Sequence, residues 1–453
     1  MAKETFRGGV HPNEAKEFSR NEPLKVYETK GDVVFPLSQH IGRPAKAVVK
    51  KGDPVLVGQI IAEADGFVSA NIASSVSGTV KAVEKRRVQS GAMAECIVIT
   101  NDGQFTPLDD YTTKDELKDL SNEEILERIK KAGIVGMGGA GFPAHVKLAP
   151  QDPLAIKYII ANGAECEPYL TCDDQLMRSK SAEIVEGLQI ILRLFVNAEG
   201  VIAIEKNKPE AIAAMDKASD AVNKVSVHAL RTKYPQGGEK SLVKAITGID
   251  TTRAALPASV GCIVCNVGTI YAIRQAVLFR EPSYRRAMSV TGDAVKNPCN
   301  IIVRNGTLFS EILEAAGGIK EGLELKKALC GGPMMGFALG NLDTPCQKVN
   351  NGLTLMSVDA VEKAEAQMTA CLHCGRCTTV CPMGLMPQMM AEAFKANNLE
   401  RYEKKLYGLE CIECGSCTYI CPAKRPLMQQ FRQAKAEIAA VKALEKAKAG
   451  GAK

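Results

Sequence analysis

The sequence predicts a multidomain α/β chain: a small β-sandwich, a mostly parallel sheet with flanking helices, a short α+β module, and a helical, cysteine-bearing region at the end. Three observations carry this expectation. The chain is 453 residues long, about three domains' worth at roughly 150 residues each. Short apolar runs broken by Gly, Pro and Asp fill residues 31–100, whereas strand-like and helical periodicities alternate from about 121 to 279. Half of the 16 cysteines lie between Cys371 and Cys421. The expected boundaries are 1–110, 115–285, 286–350 and 360–430, with a basic helical tail over 431–453.

Composition excludes several classes. Hydrophobic residues make up 46% and charged residues 24%, an ordinary globular balance. Tryptophan is absent and aromatics are only 5%, so stacking platforms for single-stranded nucleic acid are poorly supplied. The formal charge is +6, but residues 432–453 hold six basic and two acidic side chains, so +4 of it sits in the tail. The remaining body is close to neutral, which argues against a nucleic-acid partner. No apolar run approaches the roughly 18 to 20 residues of a membrane span; Ile184–Val196 is broken by Glu186 and Arg193. Met1–Gly9 lacks the apolar core of a signal peptide. These features suit a soluble chain of the cytoplasm.

In the first module, Gly31–Pro36, Lys51–Leu56, Gly66–Ala70 and Val76–Val80 read as short strands joined by turn chemistry. Residues 52–63 and 69–80 resemble a lipoyl or biotinyl carrier sandwich. Such carriers present a lysine on the hairpin between these strands, whereas Ser69–Gly78 has none. A swinging arm cannot be attached, and the module is expected to be structural or docking in role. Next, Ser121 and Glu124 form a capping box that opens an amphipathic helix to about Ala132. Strands are expected at Ile156–Ala161, Val201–Glu205, Val225–Leu230 and Val260–Cys265. The intervening helices are Ser181–Val196, Glu210–Val222, Ser241–Thr247 and Thr269–Phe279. Ligands of such sheets bind outside the strands' carboxyl ends. Met288–Gly292, Cys299–Asn305 and Leu308–Ala316 then suggest two strands and a helix.

The clustered cysteines repeat one pattern: Cys371-x2-Cys374-x2-Cys377-x3-Cys381-Pro382 and Cys411-x2-Cys414-x2-Cys417-x3-Cys421-Pro422. A disulfide framework suits a small secreted domain, not a chain of this size without an export signal. Zinc sites use two close cysteine pairs, or cysteine with histidine. This run is the spacing of bacterial two-cluster ferredoxins, whose fourth cysteine ligates the other cluster. The expected ligation is therefore crossed: Cys371, Cys374, Cys377 and Cys421 for one [4Fe–4S] cluster, Cys411, Cys414, Cys417 and Cys381 for the second. Met383, Met386, Met389 and Met390 are expected to pack this region. Cys262-x2-Cys265, Cys96, Cys299, Cys330 and Cys346 read as buried thiols, and the five histidines as surface or capping groups.

Gly136-Met-Gly138-Gly139-Ala-Gly141 is a literal G-x-G-x-x-G, but the long preceding strand of the dinucleotide fingerprint is missing. A plain tight turn is the competing reading. Four glycines in six residues nevertheless let backbone approach a flat ring or a phosphate, and a helix start near residue 143 favours an anion. Loops at Asn162–Pro168, Tyr234–Lys240 and Asn266–Thr269 are expected on the same sheet edge, where a flavin or nucleotide binds.

At this point a resemblance becomes specific. Gly136–Leu148, Asn162–Pro168 and Tyr234–Glu239 resemble the flavin- and NADH-binding core of the complex I flavoprotein subunit. The order of modules, and the opening Phe6-Arg-Gly-Gly-Val-His-Pro12, resemble the C subunits of Rnf electron transport complexes. The resemblance spans about residues 6 to 430. It implies a barrel-sandwich hybrid first, an SLBB-like, β-grasp-like third module and a ferredoxin-like fourth. It also implies non-covalent FMN, an NAD(H) site and two [4Fe–4S] clusters, in a peripheral subunit on the cytoplasmic face of the cell membrane. The implied partners are integral-membrane and ferredoxin-like subunits that couple electron flow between ferredoxin and NAD to Na+ or H+ transport. Carried over residue by residue, Gly136, Gly138, Gly139 and Gly141 line the flavin, with Lys147 toward its polar end. Asn162, Glu165, Cys166, Tyr234, Gly237, Gly238, Asn266 and Thr269 match further flavin positions. Phe142, Glu167 and Glu239 match positions around the dinucleotide, and Glu239 is the implied catalytic residue. Ala164 and Gly238 depart from the complex I pattern, which has acids there.

Hydride transfer to a flavin needs proximity rather than a strong base, and a flavin with clusters in one chain converts a two-electron carrier into a one-electron wire. The competing readings are a soluble flavin and iron–sulfur corrinoid reductase, and a non-enzymatic polyferredoxin scaffold.

Overall fold

The computed structural model describes residues 4–251 and 255–450, and side chains through 445. It forms two compact units. One comprises Asn13–Arg231 and Leu256–Val358; the other comprises the chain up to Pro12, residues 232–255, and everything from Asp359 onward. The expected central domain is therefore divided, because residues 232–255 group with the cysteine-bearing segment.

In the sheet-bearing unit, the sandwich pairs a four-stranded sheet, ordered Val33–Pro36, Met93–Asn101, Gly78–Arg87, Pro54–Val55, with a three-stranded one, Lys46–Ala47, Ile60–Glu63, Ile72–Ala73. Val33, Phe35, Ile61, Ile72, Ile97 and Ile99 fill the space between. Its hairpin tip is docked: the Lys348 ammonium donates to the Asn71 carbonyl at 2.6 Å and to the Gly133 carbonyl at 2.7 Å. Arg304 donates to the Ser75 carbonyl at 2.7 Å. The tip that carries a cofactor arm in carrier proteins is here spent on intramolecular contacts.

The parallel sheet has the order Val225–Leu230, Glu199–Glu205, Tyr158–Gly163, Cys262–Asn266. These four strands fall within two residues of the expected ones, because runs such as Ile159-Ile160-Ala161 are buried on both faces, as parallel strands require. The helices Ser181–Arg193, Pro209–Ser219 and Val267–Phe279 belong to the same unit. The capping box forms as expected: Glu124 N–H donates to Ser121 Oγ at 3.1 Å and Ser121 N–H to Glu124 Oε2 at 2.8 Å, opening Asn122–Lys131.

The third module is larger than expected. Its six-stranded sheet runs Leu24–Val26, Cys299–Arg304, Arg285–Thr291, Gly352–Met356, Lys327–Cys330, Phe337–Ala338. Leu24–Val26 pairs with Asn300–Ile302 across more than half of the chain, a long-range pairing that local periodicity cannot announce.

In the cysteine-bearing unit, Val10 and Tyr234 exchange backbone hydrogen bonds at 2.8 and 2.9 Å, and Gly9 N–H donates to the Val380 carbonyl at 2.8 Å. The expected tail helix begins earlier, at Leu427, and runs to Gly450; residues 451–453 lie outside the described residues. Phe431, Ala434 and Ile438 are buried with Met390 and Tyr402, so its first turns belong to the core. Met383 and Met389 pack against that core, whereas Met386 is exposed, contrary to expectation. The lone Cys262 and Cys265, with Cys96, Cys330 and Cys346, are buried as expected, and Cys299 is half-buried.

Candidate redox site

The two cysteine motifs take one backbone form twice. His373 and Glu413 sit at φ 52 and 55, and Gly375 and Gly415 at φ 72 and 77. Each glycine opens a single helical turn, Arg376–Thr379 or Ser416–Ile420. This winding turns three thiols of each motif inward and sends the fourth away. Cys371, Cys374 and Cys377 line a cavity of about 190 Å³ together with Cys421. Cys411, Cys414 and Cys417 line a tighter one, about 20 Å³, together with Cys381. Each cavity thus collects four sulfur donors, three from one motif and one from the other.

Such thiols fit an iron–sulfur cube, since soft thiolate sets select iron–sulfur clusters. Burial pushes the Cys411 thiol up to about 11, and Cys417 well above its ordinary value. A coordinated metal reverses that preference by holding the thiolate outright. Both cavities have largely apolar walls, among them Leu427 in the first and Met390 and Phe431 in the second.

The glycine loop lies in the sheet-bearing unit. Gly136 N–H donates to the Phe142 carbonyl at 2.9 Å and Val135 pairs with Pro143, so residues 135–143 form a closed loop, not the turn of a βαβ unit. Its register is pinned through Met137: the Met137 N–H donates to Thr269 Oγ1 at 2.9 Å, and the buried Arg286 donates to the Met137 carbonyl at 3.3 Å. Gly141 needs its left-handed φ of 72, and a Cβ there would meet Val349 at 2.7 Å. Gly139 is different: a Cβ would find nothing within 4 Å. The loop therefore presents bare backbone to open space, the surface against which a flat ring packs. The helix start expected near residue 143 is one turn, Ala144–Lys147, too short for an appreciable macrodipole. Lys147 Nζ donates to the Val264 carbonyl at 2.8 Å.

The parallel register sets Asn162 opposite Asn266, which brings their loops to one edge. Asn266 caps its helix through Oδ1, accepting from Gly268 N–H at 2.8 Å, and donates through Nδ2 to Asp173 at 2.7 Å. A Cβ on Gly138 would meet Asn266 at 3.1 Å, so the glycine loop and this edge are in close contact. Asn162 Oδ1 accepts from Ala164 N–H at 3.2 Å. The two glutamates of this loop bind protein backbone. Glu165, at φ 44, accepts from Asp173 and Asp174 N–H at 2.7 and 3.2 Å and so caps Cys172–Ser179. Glu167 accepts from Met334 and Met335 N–H at 2.6 and 3.1 Å. Cys166 is half-buried between them. Burial, and then the neighbouring Glu165 carboxylate, hold Asp173 well above the usual carboxylate range. Asp173, Arg286 and the buried Lys16 and Lys208 belong to no motif in the sequence, and the paired acids after Thr171 are the one local signal of a charged helix start.

Tyr234, Gly237, Gly238 and Glu239 lie in the cysteine-bearing unit. Gly238 starts the helix Glu239–Thr247, with Glu239 half-buried in its first turn. Tyr234 is buried, and its hydroxyl donates to the Cys414 carbonyl at 2.7 Å, tying this segment to the second cysteine motif. Beside it, Gln236 is fully buried with neither amide atom hydrogen-bonded. Such orphans are rare in folded proteins.

Four family profiles match the chain in order: the RnfC barrel sandwich hybrid domain over residues 4–104, the Nuo51 FMN-binding domain over 129–275, the SLBB domain over 288–338, and a 4Fe-4S dicluster domain over 370–426. The C subunit of the proton-translocating ferredoxin:NAD(+) oxidoreductase complex of Clostridium ljungdahlii is 44% identical, with 98% of this chain and 96% of that protein covered. Its counterpart in the Na(+)-translocating ferredoxin:NAD(+) oxidoreductase complex of Acetobacterium woodii is 42% identical over 96% of this chain and 97% of that one. The C subunit of the ion-translocating oxidoreductase complex of Rhodobacter capsulatus is 41% identical over 96% and 83%. With four matching modules in the same order and identity sustained along nearly its whole length, the chain belongs to the family of C subunits of ion-translocating, Rnf-type oxidoreductase complexes.

Proposed function

We propose that the chain is the NAD(H)-linked flavin and iron–sulfur subunit of a membrane-bound, ion-translocating ferredoxin:NAD oxidoreductase. The observation that carries this reading is the composition of the two cysteine cavities, each with three thiols of one motif and the fourth of the other. Two [4Fe–4S] clusters are held there with crossed ligands. FMN, when bound, accepts a hydride from NADH and releases electrons singly. The protein's part is to hold and orient. Gly136, Gly138, Gly139 and Gly141 offer bare backbone to the ring, while Thr269 and Arg286 keep that backbone in register. Asn162, Cys166, Asn266 and Lys147 border the same place. Phe142 is assigned to the dinucleotide, with Glu167 acting through the loop that it anchors.

No helix among the described residues is long and apolar enough to cross a membrane. In this reading attachment is peripheral, through integral-membrane and ferredoxin-like partner subunits at the cytoplasmic face. The test is anaerobic purification with cofactor analysis: about eight iron atoms and one FMN per chain are expected, with clusters reduced on adding NADH. Gly139→Val should lose FMN and keep its iron, because the open space before Gly139 lets the variant fold. A flavin-free wild-type chain, or a folded Gly139→Val protein with full flavin content, would overturn this assignment.

A further inference from the structure

Two lysines lie buried beneath the loop that follows Tyr158–Gly163. Lys16 is 3% exposed and Lys208 1%. Lys16 Nζ donates to the carbonyls of Glu165 at 2.9 Å, Glu167 at 3.1 Å and Leu170 at 2.5 Å. Lys208 Nζ donates to the Ala164 carbonyl at 2.5 Å and to Asn207 Oδ1 at 3.1 Å, and stands 3.5 Å from Glu205 Oε2. Four carbonyls of one loop are thus held by two side chains from separate segments.

The acceptor count fixes the charge state. An ammonium has three donors and no acceptor. Lys16 faces three carbonyl oxygens, so a neutral amine would point its lone pair at one of them. Burial and the neighbouring Lys208 push the Lys16 ammonium toward losing its proton, while Glu165 and Glu205 hold it charged; the three carbonyls decide for the cation. A buried ion is costly, and neutral donors could brace a loop. Two such cations under the loop that carries Cys166 and follows the strand of Asn162 do more than brace it. In a low-dielectric interior a fixed positive charge strongly favours any negative charge that develops nearby.

We propose that Lys16 and Lys208 form a buried cationic floor which positions residues 164–170 and raises the midpoint potential of the flavin bound at that loop, because each electron added there is stabilised by fixed positive charge. The inference rests on the assignment of FMN to this edge of the sheet. Lys16 and Lys208 are positioning and potential-setting residues that act through the loop, and the buried carboxylates of Glu165 and Glu205 offset part of their charge.

The test is a spectroelectrochemical titration of the bound flavin in the full-length, cluster-loaded chain, comparing wild type with Lys16→Met, Lys208→Met and Glu205→Gln. Each lysine variant should lower the flavin midpoint by at least a tenfold change in the equilibrium constant, roughly 30 mV for a two-electron couple. Glu205→Gln should shift it the opposite way, and both cluster midpoints should stay fixed. That reversal of sign separates charge from packing, since a disturbed loop has no reason to respond with opposite signs. Should the lysine variants lose their flavin, the isosteric Glu205→Gln decides alone: an unchanged or lowered midpoint overturns the proposal. Unchanged midpoints in flavin-retaining lysine variants overturn it too, as do shifts of one sign in all three. A wild-type chain without FMN would instead fail the assignment on which the inference rests.

Discussion

His373 and Glu413 hold the same place in the two cysteine motifs and the same left-handed backbone, yet their surroundings differ. The His373 side chain is 72% exposed, 4.0 Å from a Glu392 carboxylate that is itself exposed. Glu413 is held by Arg432 at 3.1 Å and Lys435 at 2.8 Å, both from the long terminal helix. Lys435 also donates to the Cys411 carbonyl at 2.5 Å. Cys374 is exposed, whereas its counterpart Cys414 is buried under the Tyr234 hydroxyl. Spacing and two left-handed residues suffice to shape a four-thiol cavity, while what packs over the motif sets its exposure and charge. Exposure and hydrogen bonding tune cluster potentials, so identical ligand sets here should give two electronically distinct centres.

The largest effect should come from the shared cysteines. Cys381→Ala should cost about four of the eight iron atoms, all from the cluster of Cys411, Cys414 and Cys417; Cys421→Ala should mirror it on the other motif. Electron paramagnetic resonance of the reduced variants identifies the survivor, and loss of the cluster in the mutated motif itself would sink crossed ligation. Next comes the terminal helix. Removing residues 432–453 deletes Arg432, Lys435, Ala434 and Ile438 and should strip the second centre first. Removing only 444–453 should leave iron content and melting temperature unchanged. Equal loss in both truncations would mean that the first turns do not protect the second motif.

A smaller contrast is expected in lability. Under chelator or dilute oxygen, the centre at Cys371–Cys377 should decay several-fold faster than its twin, read as two phases of absorbance loss; a single phase would erase the distinction drawn from exposure. The smallest effect is electrostatic. Glu413 and its partners are about a quarter exposed, so Glu413→Gln should cost only about 0.5–1 kcal/mol of stability in denaturant unfolding, while His373→Gln should cost nothing measurable.

The contrast between regions also marks what could be read from sequence. Cysteine spacing is a local code, as are the Ser121 and Glu124 cap and buried runs such as Val201–Glu205, and these elements emerge within a residue or two. The division that takes residues 232–255 away from the strands on either side of them in sequence depends on Val10 pairing with Tyr234. The Leu24–Val26 strand likewise depends on a partner near residue 301. Glu165 and Glu167 look in sequence like ligands-in-waiting, and only the fold reveals that their carboxylates are committed to backbone amides. Lys16 sits in a polar stretch with no sign of burial, because what buries it is a loop about 150 residues away. Long-range closure of this kind leaves no periodic trace.

The composition of the cysteine-bearing unit has a consequence for biogenesis. Its parts come from both ends of the chain and from one internal excursion, so it cannot close until synthesis has passed residue 359. At about 5–20 residues per second, the opening segment around Val10 waits on the order of 20 to 70 seconds for Val380 to emerge. The sheet-bearing unit, whose last strand ends at Met356, is free to fold first. Cluster loading then becomes the final event, and the N-terminal residues serve as a clasp that fastens only after the cysteines have been made. A nascent chain stalled before residue 371 should therefore already protect Tyr158–Gly163 from proteolysis while leaving residues 4–12 open to cleavage.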